Sequence, residues 1–144
     1  MKNILVTIDF DENIEPLVDK AFEIANAFHS KIWLLHIAAP EPSFVGYEVG
    51  PQYIRDWRAE DLRTEHRQLE RFTRELEEKG IKTEGLLIQG ATIEMIISES
   101  KKLNIDLIIA GHHERSFFYN AFVGSVSAQI IKKSKIPVLI VPVG

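Results

Sequence analysis

The stretch LIIAGHHERSFFYNAFVGSVSAQII, residues 107–131, carries the pattern that decides the fold. It opens with a short run of apolar residues, which is typical of a strand covered on both faces. Gly111 ends this run, and thirteen positions further on Gly124 lies near the beginning of a segment whose apolar residues recur at helical spacing. The members of this helical stripe are Val123, Val126, Ile130 and Ile131. The stretch therefore predicts a buried strand, a long turn and a helix.

The same alternation of apolar runs and helical stripes extends over the rest of the chain. Three further runs of apolar, largely β-branched residues cover positions 4–8, 32–37 and 138–141. A fifth run, residues 83–89, is more polar and predicts a strand at the edge of the sheet. The resulting order is β-α-β-α-β-α-β-α-β. This order predicts an α/β fold with a parallel sheet and helices on both faces, because parallel strands need crossover connections.

Capping and turn residues predict where the helices begin and end. Asn13 is the predicted N-cap of the first helix, with Pro16 in its first turn, and Gly80 is predicted to end the long, charged second helix. The predicted buried stripe of the first helix consists of Ile14, Leu17, Val18, Ala21, Ala25 and Phe28. One long connection, residues 38–52, is rich in proline and glycine. It is either a loop that closes over a site or a surface excursion without a role, and the sequence leaves both interpretations open.

The composition limits the class of protein. The 144 residues suffice for one domain, residues 1–144, and the proportions of 45% apolar and 26% charged residues are those of a globular protein. No apolar run approaches the roughly 20 residues that cross a bilayer, and no cysteine is present for disulfide or thiol chemistry. The net charge of −4 argues against a nucleic-acid partner. We therefore expect a cytoplasmic protein that engages neither a membrane nor nucleic acid.

The turn after the first strand excludes several nucleotide-binding classes. Ligands of open parallel sheets bind beyond the carboxyl ends of the strands. A phosphate-binding loop at this turn needs glycines and hydroxyls, whereas the chain has the acidic residues Asp9, Asp11 and Glu12. P-loop nucleotidases, Rossmann dehydrogenases and flavodoxins are therefore excluded. A phosphorylation receiver domain is excluded as well, because it needs an aspartate after the third strand, where this chain has Gln89.

The turn before the last helix is the strongest candidate for a ligand site. Gly124 lets a ligand approach the backbone closely, and the first N–H groups of the helix face that ligand beside the hydroxyls of Ser125 and Ser127. Such an arrangement holds an anion. The alternative is that Gly124 is only a turn residue and Ser125 only an N-cap. The spacing alone does not separate these two interpretations.

The sequence resembles the universal stress protein family over essentially its whole length. The family fingerprint is G-x2-G-x9-G-[ST], followed by a helix and a strand that contains PVL-V. This chain reads Gly111-x2-Glu114-x9-Gly124-Ser125 and then PVLIV at residues 137–141. The N-terminal ILVTID and the second apolar run match the family as well.

The resemblance implies both an architecture and an assembly. The implied fold is an α/β three-layer sandwich with a five-stranded parallel sheet of order 3-2-1-4-5. Members commonly form homodimers through the last strand, which here runs from Ile136 to Val143.

The resemblance also implies an adenine-nucleotide ligand, ATP or AMP, with Mg²⁺ accompanying ATP. The family match assigns the ribose to Asp9 and the adenine to the backbone of Ile37. It assigns the phosphates to Gly111, Gly124, Ser125 and Ser127. The full set of candidate nucleotide-binding residues is Thr7, Asp9, Ile37, Gly111, His112, His113, Arg115, Gly124, Ser125, Val126 and Ser127.

The chain departs from the family pattern at two places. Glu114 replaces the second fingerprint glycine, and Asp9-Phe10-Asp11 replaces the usual aspartate-glycine-serine. At about 6 Å and an effective dielectric of about 20–40, repulsion between Glu114 and one phosphate charge is on the order of 1–3 kcal/mol. Arg115 offsets this repulsion if its guanidinium pairs with Glu114 or with the phosphate.

Three functions follow, and the sequence orders them without deciding between them. The first is a nucleotide-dependent regulator in the stress response, the second a dimeric interaction module with an empty nucleotide loop, and the third a slow ATPase. A dedicated enzyme is not expected, because no nucleophile–base pair has a recognisable spacing. The adjacent His112 and His113 are expected to point apart rather than to converge on a metal. His36 is expected to cap the end of a buried strand.

Overall fold

The computed structural model describes residues 1–8, 13–38, 52–89, 93–112 and 126–143. The strands are β1 (Asn3–Ile8), β2 (Lys31–Ala38), β3 (Thr83–Gln89), β4 (Leu107–His112) and β5 (Val138–Pro142). The helices are α1 (Glu15–Phe28), α2 (Gln52–Glu78), α3 (Ile93–Lys102) and α4 (Val126–Lys133). Within these ranges, no helix combines the length and the apolar character needed to cross a membrane. Most of the long proline- and glycine-rich connection, residues 39–51, lies outside the described residues.

The five strands form one parallel sheet with the order β3-β2-β1-β4-β5. This confirms the predicted topology and the predicted place of β3 at an edge. In the register of the sheet, Ile8 of β1 pairs with His36 of β2, and His112 of β4 pairs with Pro142 of β5. The last residues of β1, β2 and β4 therefore lie together on one side, which we call the carboxyl end of the sheet. The opposite side is the amino end.

Two helical layers cover the two faces of the sheet. Ile4 and Ile8 of β1 lie in one apolar cluster with residues of α1 and α2. Leu5, between them in the strand, lies in a second cluster with Ile96 of α3 and Ile130 of α4. Because alternate residues of a strand point to opposite faces, both faces must be apolar when both are covered. This explains why the strand patterns in the sequence are continuous rather than alternating.

The beginning of α1 differs from the prediction by one residue. The N-cap is Ile14, which makes no side-chain capping bond, so the prediction of Asn13 as N-cap is wrong. Asn13 Oδ1 instead accepts a hydrogen bond from the backbone N–H of Glu15 at 3.3 Å. Asparagine forms such a bond two residues along its own chain as readily as it caps a helix, so its presence does not fix the first helical residue. Pro16 lies in the first turn, as predicted.

Left-handed residues follow the ends of three helices. Gly80 has a φ of +89° just after α2, which confirms it as the end of that helix. His29 after α1 and Asn104 after α3 adopt φ values of 55° and 54°. The left-handed region suits glycine because it has no Cβ, and it admits asparagine and histidine at lower frequency.

Two apolar residues predicted to be buried are exposed. Phe28 is 57% exposed, because it is the last residue of α1 and the chain turns away through His29 into β2. Ile131 is 54% exposed, whereas the preceding Ile130 is fully buried. Neighbours on a helix point about 100° apart, so only one of two adjacent isoleucines faces the sheet.

Candidate functional site

The connections of the sheet change direction between β1 and β4. From β1 the chain proceeds through β2 to β3 on one side, and it then crosses to β4 and β5 on the other side. Ligands of open parallel sheets bind at such a switch point, beyond the carboxyl ends of the strands. The carboxyl end of the sheet at β1 and β4 is therefore the candidate functional site.

The structure places six of the predicted site residues in elements that reach this position. They are Thr7 in β1, Ile37 in β2, Gly111 and His112 in β4, and Val126 and Ser127 in α4. The other predicted site residues lie outside the described residues. They are Asp9, His113, Arg115, Gly124 and Ser125.

Thr7 and the beginning of α4 lie on the same face of the sheet. Thr7 is buried at 9% exposure and alternates with Leu5, whose cluster includes residues of α3 and α4. Because β4 and β5 are parallel, α4 must run from the carboxyl end of the sheet back to the amino end. Its first residue, Val126, therefore lies at the carboxyl end. The first N–H groups of a helix have no partner within the helix and carry partial positive charge, which favours an anion there.

The packing around position 111 explains the presence of glycine there, and the sequence alone does not reveal this packing. A Cβ at this position would lie 3.3 Å from both Cγ atoms of Val143 and 3.8 Å from Leu17 Cδ2 of α1. Contacts of 3.3 Å are tighter than ordinary van der Waals separation between carbon atoms. The missing side chain thus faces the layer of α1, so core packing favours a small residue at this position, independently of any ligand that approaches the backbone.

His36 is buried directly under the candidate site. Its ring is 5% exposed, and Nδ1 lies 2.9 Å from the backbone carbonyl oxygen of Ile8, the last residue of β1. This contact confirms the expected role of His36 at the end of a buried strand. The other ring nitrogen, Nε2, lies 3.3 Å from Oε2 of Glu65 on α2.

Glu65 is not among the residues singled out from the sequence, where it is one of many charged residues of the second helix. A signal was nevertheless present. Glu65 precedes Leu69, Phe72 and Leu76 at spacings of four, seven and eleven residues, and those three side chains are the buried stripe of α2. A carboxylate that continues an apolar stripe is a candidate for a buried polar partner.

One cavity lined by described residues does not coincide with the candidate site. It measures about 470 Å³, lies at the amino end of the sheet, and is lined by Lys31, Glu77, Gly80, Ile81, Lys82 and Thr83. We place the functional site by the strand switch rather than by this cavity, because the cavity is widely open and no convergent set of buried polar groups faces it. Within the described residues, no group of three or more His, Asp or Glu is arranged to hold a metal ion.

These features define an open α/β protein with a doubly wound parallel sheet, whose candidate functional site is the carboxyl end of that sheet. The chain belongs to the universal stress protein family, since the model of that family matches residues 1–142. Universal stress protein C of Escherichia coli K12 is 31% identical over 144 residues, an alignment that covers 97% of this chain and 94% of that protein.

Solved structures agree with this assignment. The structure of MJ0577 superposes with a TM-score of 0.77 at 26% identity and covers 99% of this chain and 96% of that one. An Arabidopsis thaliana member with AMP bound gives a TM-score of 0.64 at 21% identity, covering 100% and 93%. Two further universal stress proteins of the same fold, at 21% and 18% identity, are complexes with cAMP and with dAMP, the latter from Archaeoglobus fulgidus.

Proposed function

We propose that this protein binds an adenine nucleotide at the carboxyl end of the sheet and acts as a nucleotide-dependent regulator in the stress response. The observation that carries the proposal is the meeting of three strand ends and the beginning of α4 at the β1/β4 switch point. Relatives with this fold are complexes with AMP, dAMP and cAMP, which supports an adenine nucleotide as the ligand. A cytoplasmic location stays a prediction from composition.

In this proposal the two halves of the nucleotide meet different elements. The adenine meets the backbone of Ile37 at the end of β2, and the ribose hydroxyls donate to Asp9 after β1. The phosphates meet Gly124, Ser125 and the first N–H groups of α4, with Ser127 beside them. The polar contacts of the base and sugar thus come from β1 and β2, whereas the phosphate contacts come from α4.

Glu114 makes a monophosphate the better ligand. Each additional phosphate charge near this carboxylate adds repulsion on the order of 1–3 kcal/mol, unless Arg115 neutralises it. We therefore propose that AMP binds more tightly than ATP, and that Mg²⁺ accompanies ATP when ATP binds. We also propose that the nucleotide is held as a signal rather than hydrolysed; an ATPase activity that disappears in Asp9→Ala would favour the slow-ATPase alternative.

One observation favours a second candidate, a dimeric interaction module. The last strand, β5, stands at an edge of the sheet, and its residues Val138, Leu139 and Ile140 are only half-buried in the single chain. Edge strands with apolar side chains pair readily with another strand. We propose a homodimer through Ile136 to Val143 in both candidates. In the interaction module the protein acts through this dimer and binds no nucleotide.

Calorimetric titration of the purified protein with AMP and with ATP separates these candidates. Any nucleotide that copurifies must first be removed by denaturation and refolding, and identified by mass. The regulator predicts saturable heat with micromolar affinity for AMP and affinity for ATP weaker by about tenfold, the equivalent of about 1.4 kcal/mol. Absence of heat with either nucleotide, in a protein that remains folded and dimeric, would favour the interaction module.

A further inference from the structure

We propose that the C-terminal ends of α3 and α4 form a binding surface for an acidic, extended segment of a partner protein. Both helices connect parallel strands, so both run from the carboxyl end of the sheet to its amino end. Their C-terminal ends lie side by side in one helical layer and line one small cavity. The proposed surface, which we call the lysine surface, consists of Lys101, Lys102, Lys132, Lys133 and Lys135.

The lysine surface carries a surplus of positive charge on a chain that is negative as a whole. All five lysines are exposed. Lys102 Nζ lies 3.6 Å from Glu99 Oε1, and Lys133 forms an ion pair with Glu94. Within the described part of the chain, no carboxylate forms an ion pair with the other three lysines. Their positive charges are therefore unbalanced at this place, although the net charge of the whole chain is −4.

Stabilisation of the helix ends accounts for only part of this charge pattern. Lysines in the last turn of a helix interact favourably with its terminal carbonyl groups, and both α3 and α4 have such lysines. This effect falls off within the last turn, whereas Lys135 lies two residues beyond the end of α4. Lys135 nevertheless lines the same cavity as Lys101 and Lys133. The convergence of these three lysines on one cavity is therefore not explained by the helix ends.

The cavity between the helix ends limits what a partner can insert. It measures about 60 Å³, and Ile97 and Ile136 give it an apolar lining; both are partly buried and pack against the core. Ser134 also lines it, but its hydroxyl is used within the turn. Its Oγ donates to the carbonyl oxygen of Ile136 at 2.8 Å and accepts from the backbone N–H of Ile136 at 3.0 Å. The cavity therefore admits one short apolar side chain, such as that of valine, among exposed ammonium groups.

The composition of the surface favours an acidic protein segment over a nucleic acid. Nucleic-acid surfaces combine phosphate contacts from arginine and lysine with aromatic side chains on which bases stack. Residues 93–112 and 126–143 contain no arginine, phenylalanine, tyrosine or tryptophan. Lysine ammonium groups on flexible stems adapt instead to the carboxylates of an extended chain.

The surface is also unsuited to a membrane. A helix that lies on a bilayer inserts a wide apolar face, whereas the apolar residues Ile96 of α3 and Ile130 of α4 are buried in the core. A single exposed residue such as Ile131 does not form such a face. The partner that fits is therefore a protein segment with carboxylates on both sides of one short apolar residue.

The lysine surface is separate from the proposed nucleotide site. The first turn of α4 lies at the carboxyl end of the sheet, and its last turn belongs to the lysine surface. For a helix of eight residues, these two ends are about 12 Å apart. The proposed binding of a partner needs no nucleotide, and AMP and a partner would occupy opposite ends of α4.

Fluorescence anisotropy of a labelled synthetic peptide tests the proposal. The peptide has glutamates on both sides of a central valine, and two control peptides replace either the glutamates by glutamine or the valine by glycine. The test variant is Lys101→Gln/Lys135→Gln. The matched control is Lys79→Gln/Lys82→Gln, which removes the same charge from exposed lysines between α2 and β3. All titrations are made at low salt and without nucleotide.

We expect saturable binding of the acidic peptide that weakens by about fivefold in Lys101→Gln/Lys135→Gln and by less than about twofold in the control variant. Both control peptides should bind more weakly than the acidic peptide. The amide NMR shifts that the acidic peptide causes should be largest at Ile97, Lys101 and Lys135.

Three results would overturn the proposal: no saturable binding, equal losses in the two variants, or a glutamine peptide that binds as tightly as the acidic one. Single-stranded DNA or phosphatidylserine vesicles that bind through Lys101 and Lys135, when the acidic peptide does not, would overturn it as well. The surface would then belong to another class of partner. Because no nucleotide is present, failure of this proposal leaves the proposed function intact, and the AMP titrations test that function separately.

Discussion

The two ends of the sheet use their polar groups differently. At the amino end, the carboxylate of Asp106 accepts hydrogen bonds from the backbone N–H groups of Lys2 at 2.7 Å and Asn3 at 3.0 Å. Ser30 Oγ donates to the carbonyl oxygen of Met1 at 2.7 Å. These bonds tie the first strand to its two neighbours. The side chains of Asp106 and Ser30 thus form hydrogen bonds within the protein, and these bonds hold neighbouring strands together.

At the carboxyl end, the described groups are arranged around a switch point instead. Thr7 is buried, the ring of His36 lies within 3.3 Å of both Ile8 and Glu65, and the first turn of α4 lies at this end. Buried side chains under a strand switch make a rigid support for a ligand, whereas a helix N-terminus above it favours an anion. If the protein binds its nucleotide as proposed, one parallel sheet separates stability and nucleotide binding between its two ends. Substitutions at the two ends should therefore affect different measurements.

The largest effect is expected for Gly124→Leu at the carboxyl end. A branched side chain at this position blocks the approach of a phosphate to the backbone. AMP affinity, measured by calorimetry, should fall at least about 100-fold, which corresponds to about 2.7 kcal/mol. The midpoint of urea unfolding should change little. An unchanged AMP affinity in this variant would show that Gly124 is not part of the site, and it would contradict the assignment of binding to the carboxyl end.

A smaller effect is expected for Gly111→Val, and it should appear in stability. The Cβ of valine would already lie 3.3 Å from two carbons of Val143, and its methyl groups would crowd the layer of α1 further. Overpacking of this kind costs about 1–3 kcal/mol, measured as a lower midpoint of urea unfolding. Gly111→Ala should cost less.

AMP affinity per folded molecule should change by less than about threefold in Gly111→Val, because the added side chain faces away from α4. A variant of normal stability that loses AMP binding would contradict this assignment. Gly111 would then be a ligand contact rather than a packing residue.

The smallest effect is expected for Asp106→Ala at the amino end. Asp106 is exposed, so the loss of its two hydrogen bonds should cost less than about 1 kcal/mol of unfolding free energy at pH 7. AMP affinity should not change. A loss of AMP affinity in this variant would mean that the two ends are coupled.

The cost of Asp106→Ala should depend on pH. The backbone N–H groups of Asn3 and Lys2 hold the pKa of Asp106 below its usual range. A lowered folded pKa stabilises the protein above the pKa of an unfolded aspartate, near 3.9, and this contribution is lost as the pH falls through the folded value. The difference between wild type and variant should therefore shrink below about pH 4. A difference that grows with acidity would contradict the assigned hydrogen bonds.

The sequence predicted the sheet well, because strand patterns and crossover rules are properties of neighbouring residues. The polar run at β3 indicated an edge strand, and Gly80 indicated the end of α2; the structure confirms both. The predictions of Asn13 as the N-cap and of Phe28 as a buried residue were wrong, because the apolar pattern of a helix does not fix its first residue or the residue at which it leaves the core.

The candidate site was less predictable than the fold, because it depends on contacts between distant residues. Glu65 reaches His36 across 29 positions of the chain, and no local pattern reports the distance between them. Gly111 was predicted as a phosphate contact, whereas its packing against Val143 depends on the register of two strands. Asp9 and Gly124 lie outside the described residues, so their roles stay predictions.

The most direct test of the division between the two ends is a titration of ¹⁵N-labelled protein with AMP, followed by amide NMR shifts. The account predicts saturable shifts at Ile8, Ile37 and Val126, and none at Lys2 or Asp106. Saturable shifts confined to the amino end, or no saturable shifts in a folded protein, would contradict it.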